Sequence, residues 1–173
     1  MARVSKKHPR YRSKAEIVRD LTFVLRAPLT YGTKWAVFRD IAWVWTEYHG
    51  KYKGCPYWTK MALMQSQLNP KAALRHEHAV PKSVVIKMLF DLQEPTEQRV
   101  REICERFLIG VVVTREEDDV LNMEFGRSMP PEFSDTASPS YLDAWLRYKK
   151  YNIEVVECDP PGRANPSPRR QRS

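Results

Sequence analysis

No two cysteines stand close together in this chain. Its three, Cys55, Cys104 and Cys158, are widely separated, which excludes a C-x-x-C zinc knuckle or redox pair and leaves reduced, mostly buried thiols as the expectation. Cys104 falls on the apolar face of a predicted helix. A long hydrophobic run is missing too: the longest apolar-rich stretch, "KWAVFRDIAWVWTEYHG", is broken by Arg39 and Asp40 and is shorter than the roughly 20 apolar residues of a membrane span. The basic opening "MARVSKKHPRYRSK" is followed by neither the apolar centre nor the small-residue cleavage site of a secretory signal. A cytoplasmic protein with no membrane partner is expected. No internal repeat is visible, and no helix displays an identifiable set of base-reading side chains.

Acidic residues are absent where basic ones concentrate. Residues 1–14 hold Arg3, Lys6, Lys7, Arg10, Arg12 and Lys14 with no acid, and residues 159–173 hold four arginines against Asp159. Together they exceed the whole net charge of +8, so the body between them is close to neutral. Basic arms gain sequence-independent affinity for phosphate backbones through counterion release; a solvated arm without a partner is the competing reading.

What is present is one domain's worth of chain, 173 residues with 42% hydrophobic, against a usual domain size of about 100–150. The expected organisation is a basic N-terminal arm (1–13), one globular domain (14–158) and a disordered basic tail (159–173) poor in anything to bury. Within the domain, residues 14–68 read as helical. Ser13 caps a helix to residue 27 with Ile17, Val18, Leu21, Val24 and Leu25 on one face, and a second helix starts after Thr33 and ends at Gly50. "GKYKGCP" is a turn, and "YWTKMALMQSQL" a short helix. Residues 72–80 suggest a strand, 82–93 a helix, and Pro95 the first turn of another. "IGVVVT" is a buried strand by its β-branched composition. Thr114 opens a helix with Glu117 completing a capping box. Residues 126–139 are loop, "SYLDAWLRYKKYN" a helix and "IEVVE" a last strand. The sum is an α+β fold, mainly helical with a few short strands.

The chemistry concentrates in "LRHEHAVPKSVV". Successive strand residues point to opposite faces, so Glu77 and His78 diverge unless Pro81 bends the strand. A carboxylate binds hard cations and a neutral imidazole takes protons, so the pair suits metal-assisted hydrolysis. The two histidines, His76 and His78, are not four apart, as the H-E-x-x-H zinc motif requires. Downstream, Asp118 and Asn122 lie one helical turn apart on one face. Acids in that first turn also complement the helix dipole, and the histidines can equally be half-buried strand residues, with Glu77 near Arg75.

Glu77-His78-Ala79-Val80-Pro81 resembles the first half of the HNH endonuclease motif, and "VVVTREEDDVLN" resembles its end; together they cover residues 74–122 at most, within an HNH-like region of 72–125. The resemblance implies a ββα-metal-like core, one divalent ion (Mg, Mn, Ni or Zn) and phosphodiester hydrolysis. Glu77, Asp118 or Asn122, and His76 would be metal ligands, and His78 the general base. Where this chain has Asp118 or Asn122 the family carries histidine, and its central asparagine has no counterpart here. The alternative is a non-catalytic module binding nucleic acid or a protein. Either way the candidate contacts are Arg3, Lys6, Lys7, Arg10, Arg12, Lys51, Lys53 and Arg75, with DNA favoured over RNA, a homodimer suited to cutting two strands, and the basic tails available to an acidic protein. Tyr52, Tyr57 and Trp58 among lysines suit base stacking, or Trp58 packs in the core.

Overall fold

Two S/T-x-x-E boxes start two of the helices. In the computed structural model, which describes residues 12–47, 52 and 54–158, the Ser13 hydroxyl accepts from Glu16 N–H while the Glu16 carboxylate receives the Ser13 N–H, and helix α1 (Lys14–Arg26) follows. Thr114 and Glu117 make the same reciprocal pair before α6 (Arg115–Phe125). Each box satisfies two N–H groups that a helix start otherwise leaves open.

The remaining elements, in chain order, are α2 (Tyr31–Thr46), β1 (Tyr57–Thr59), α3 (Lys60–Leu68), β2 (Arg75–His78), α4 (Lys82–Phe90), α5 (Glu97–Phe107), β3 (Gly110–Val113), α7 (Leu146–Lys150) and β4 (Val155–Glu157). The fold is α+β, mainly helical, as its sequence indicates. Strand β2, helix α4 and strand β4 are shorter than expected, and Pro131–Phe133 forms a 3-10 turn in the expected loop; four larger differences stand out. Helix α2 begins a turn earlier, because Thr30 rather than Thr33 is the cap and accepts from Thr33 N–H. The block 14–68 is not wholly helical: Tyr57–Thr59 pairs with two strands, and Thr59 then caps α3. Pro95 lies before α5 rather than in its first turn, and Thr96 is the cap. The expected helix over residues 140–152 is reduced to α7, since the preceding segment turns sharply and Leu142 holds φ 54°, the left-handed region few bulky residues enter.

The sheet runs β2-β3-β1-β4, with β2 antiparallel to β3, β3 parallel to β1, and β1 antiparallel to β4. Strand β3 is buried at all four residues because both of its faces are covered. Val112 packs with Ala62 of α3, Cys55 and Leu74, while Val111 and Val113 pack with Leu121 of α6 and Tyr148 of α7. That alternation is the two-residue period of a pleated strand. Beside the sheet, α1, α2, α4 and α5 bury Ile17, Leu21, Phe38, Trp45, Leu89, Val100 and Cys104 in the largest core.

Strand β2 lies at the sheet edge, where unpaired carbonyls invite a further strand. The bond from Ala79 N–H to the Ile109 carbonyl continues a register in which Glu77 faces Val111, turning the carbonyls of Leu74 and His78 outward. Tyr52 OH donates to the first at 2.7 Å and Arg147 to the second at 3.1 Å. Two side chains thus occupy the edge. The candidate contacts Arg3, Lys6, Lys7, Arg10, Lys51 and Lys53, and the C-terminal tail, lie outside the described residues.

Candidate functional site

In β2 the period of two decides where the suspected catalytic residues go. His76 and His78 stand opposite Val112 and Gly110, and Glu77 opposite Val111, so the imidazoles share one face and the carboxylate takes the other. Pro81 follows as the residue before α4, and the strand does not bend enough to reunite them.

On the histidine face, α2 supplies Trp43 and Thr46. The His78 ring lies 5.0 Å from the Trp43 ring, edge to face, and 5.6 Å from His76. His78 Nε2 is 3.2 Å from the Thr46 hydroxyl. His78 is 3% exposed, and burial drives its pKa down to about 3, with His76, Lys82 and Arg147 adding like-charge repulsion. The imidazole is therefore neutral near pH 7, but enclosed. His76 is buried as well, with Nδ1 3.8 Å from Glu47. Its ring lies over Gly110, where any Cβ would overlap it; here glycine is needed for close approach, not for backbone freedom.

On the carboxylate face, Glu77 meets Arg147 of α7. Arg147 is 0% exposed and donates to Glu77 Oε1 at 3.0 Å, to the His78 carbonyl at 3.1 Å and to the Leu121 carbonyl at 3.1 Å. One guanidinium thus ties β2 to α6 and α7. Its planar fork suits such a junction, since each N–H has a fixed direction. Burial raises the Glu77 carboxyl above its ordinary value, Arg147 pulls it back, and nearby Asp118 raises it again. Asp118 and Asn122 do share a face of α6, and they engage each other: Asn122 Nδ2 donates to the Asp118 carboxylate at 2.9 Å and to its carbonyl at 2.8 Å.

The structure therefore brings Glu77 near Asp118, and His76 near His78, and separates the two pairs by the strand. Among the described residues no three His, Cys, Asp or Glu side chains cluster as a metal site needs. The Glu77 carboxylate has a cation, Arg147, as its partner at 3.0 Å. Arg12 is half-buried beside α1 and Arg75 is exposed on β2. Trp58 is half-buried, its indole N–H on the Cys55 carbonyl at 3.0 Å, so it packs rather than projecting.

Three residues that shape the site escape sequence reasoning: Arg147, Trp43 and Lys82. The available signal for Arg147 was its setting in "AWLRY", one cation between large residues that pack inward. No family model, curated protein or solved structure matches the chain.

Arg147→Met strands the Glu77 carboxylate, and breaking one side of a buried pair costs about 3–5 kcal/mol. In denaturant unfolding the loss is expected to shrink clearly in the Glu77→Gln background; equal losses in both backgrounds would show that the pair carries no coupling. His78 gives a pH signature. Between its ordinary value of about 6.5 and its native value of about 3, the unfolded chain binds a proton that the native one refuses. Stability contributed there is present at neutral pH and falls as pH drops, by up to about 1.4 kcal/mol per unit. The wild-type minus His78→Gln difference in unfolding free energy from pH 6.5 to 4.5 should follow that slope, and a flat difference would place the imidazole in water.

Proposed function

We propose that this protein is a non-catalytic nucleic-acid-binding module whose grip is electrostatic. The observation that carries this reading is the commitment of Glu77 to the buried Arg147 at 3.0 Å, with His78 enclosed on the opposite face of the strand. Both members of the suspected hydrolytic pair thus serve the fold. What remains for function is the charge distribution: cations gathered in residues 1–14 and 159–173 around a nearly neutral body. Such arms hold phosphates without reading sequence, and their affinity falls steeply with salt.

Removing residues 1–11 deletes Arg3, Lys6, Lys7 and Arg10 and leaves the Ser13 cap of α1 intact. Duplex DNA binding, followed by fluorescence anisotropy from low to physiological salt, should weaken. The slope of log K against log salt should flatten by about 0.9 for each lost phosphate contact. No binding by the full chain at low salt would overturn the reading and turn attention to an acidic protein partner.

A second reading, a divalent-metal-dependent phosphodiester hydrolase, draws on one observation. Strand β2 runs antiparallel to β3, α6 follows, and Glu77 lies within electrostatic reach of Asp118. Its test is nicking of supercoiled plasmid with magnesium, manganese, nickel or zinc. Metal-dependent nicking that disappears in His78→Ala would favour the hydrolase; none is expected of a binding module.

A further inference from the structure

We propose that the exposed indole of Trp43, with Arg39 and Lys82 beside it, is a contact site for single-stranded nucleic acid, the indole stacking on a base and the two cations meeting phosphates. The inference rests on the nucleic-acid-binding reading and places its contact surface on the folded domain, away from the arms.

Arg39 and Trp43 are four residues apart on α2 and so share a face. Lys82, the first residue of α4, places its ammonium 3.8 Å over the Trp43 ring; a base takes that face as the flexible lysine stem swings its ammonium onto the adjoining phosphate. Arg39 is near enough for its charge to act on Lys82. Arg39 adds like-charge repulsion to Lys82 that Glu77 and Glu47 offset, and an arriving phosphate is attracted to both cations. Neither Arg39 nor Lys82 forms an ion pair among the described residues. The acids within reach of Lys82 are Glu77 and Glu47, and these are directed elsewhere, Glu77 to Arg147 at 3.0 Å and Glu47 to His76 at 3.8 Å.

Trp43 is 37% exposed and is braced from below by His78 at 5.0 Å and His76 at 5.8 Å between ring centroids. A large aromatic that stays partly in water yet is held in place loses little freedom on binding. Base stacking on such a surface is insensitive to sequence and requires an unpaired base, which favours single strands. Phe23 makes a useful contrast. It is more exposed, at 72%, but Arg19 is paired with Asp20 and Arg26 donates to the Pro95 carbonyl, so no cation near it on α1 is left for a phosphate.

The test is binding of a fluorescein-labelled oligothymidylate by the full-length protein, followed by anisotropy from low to physiological salt. Trp43→Ala should weaken binding by about tenfold, and Trp43→Phe by less, as expected for loss of one stacked base. Because Trp43 touches buried histidines, a second variant, Arg39→Gln with Lys82→Gln, keeps the indole and its supports. It should flatten the salt slope by about 1.4, at roughly 0.7 per single-strand phosphate contact. Circular dichroism and thermal melting establish that each variant is folded. Wild-type affinity and slope in the folded double variant, with wild-type affinity in Trp43→Phe, would overturn this site and leave the binding module standing. No oligonucleotide binding by the wild type at any salt would overturn the site together with single-strand binding, while the duplex titration of the N-terminal truncation tests the broader reading separately.

Discussion

A buried guanidinium needs acceptors, and in this fold Arg147 draws them from two other elements. Its three bonds, to the Glu77 carboxylate and to the carbonyls of His78 and Leu121, join the edge strand to α6 and to α7, which carries Arg147. A charge removed from water is tolerated only where partners replace the lost hydration. The five-residue helix α7, too short to persist by itself, is thereby fixed against the sheet, and Tyr148 beside Arg147 is carried into the core under Val111 and Val113. The same interaction closes one outward carbonyl of β2. Folding together and protection of an exposed edge come from a single side chain.

Around that junction the edge strand separates two environments. One face holds Glu77, Arg147 and Asp118, an electrostatic mixture whose carboxyl is raised by burial and lowered by its cation. The other holds two imidazoles packed on an indole, with burial making the neutral form of His78 the stable one. A hydrolytic site would need a carboxylate and a base acting on one substrate atom. Here the pleat sends them to opposite sides, and each finds a structural partner there. The outer surface of Trp43 remains, with Arg39 and Lys82, neither of which forms an ion pair among the described residues.

Much of the secondary structure was legible because it depends on local rules. Ser13 with Glu16 and Thr114 with Glu117 mark helix starts by spacing alone, and "GVVV" reads as a buried strand by its β-branched side chains. Strand β1 was hidden, since three residues, Tyr57–Thr59, become a strand only through pairing with β3 and β4. The divergence of Glu77 from His78 could be read from the strand period. What could not be read was the partner of Glu77, because Arg147 is 70 residues away in sequence; its setting in "AWLRY" hints at burial, unlike that of the exposed Lys149 and Lys150, but names no partner. Likewise Trp43 falls off the face that Trp35, Phe38, Ile41, Ala42 and Trp45 make at helical spacing, and only the placement of Lys82 across from it shows what its indole meets.

The central claim is that the carboxylate of Glu77 belongs to Arg147. Diffraction from crystals grown with manganese, measured at an energy where the metal scatters anomalously, tests this directly at the atom concerned. The account predicts Arg147 in hydrogen-bond contact with Glu77 and no anomalous peak beside that carboxylate. A manganese ion bonded to Glu77 and Asp118, with the guanidinium displaced, would contradict it.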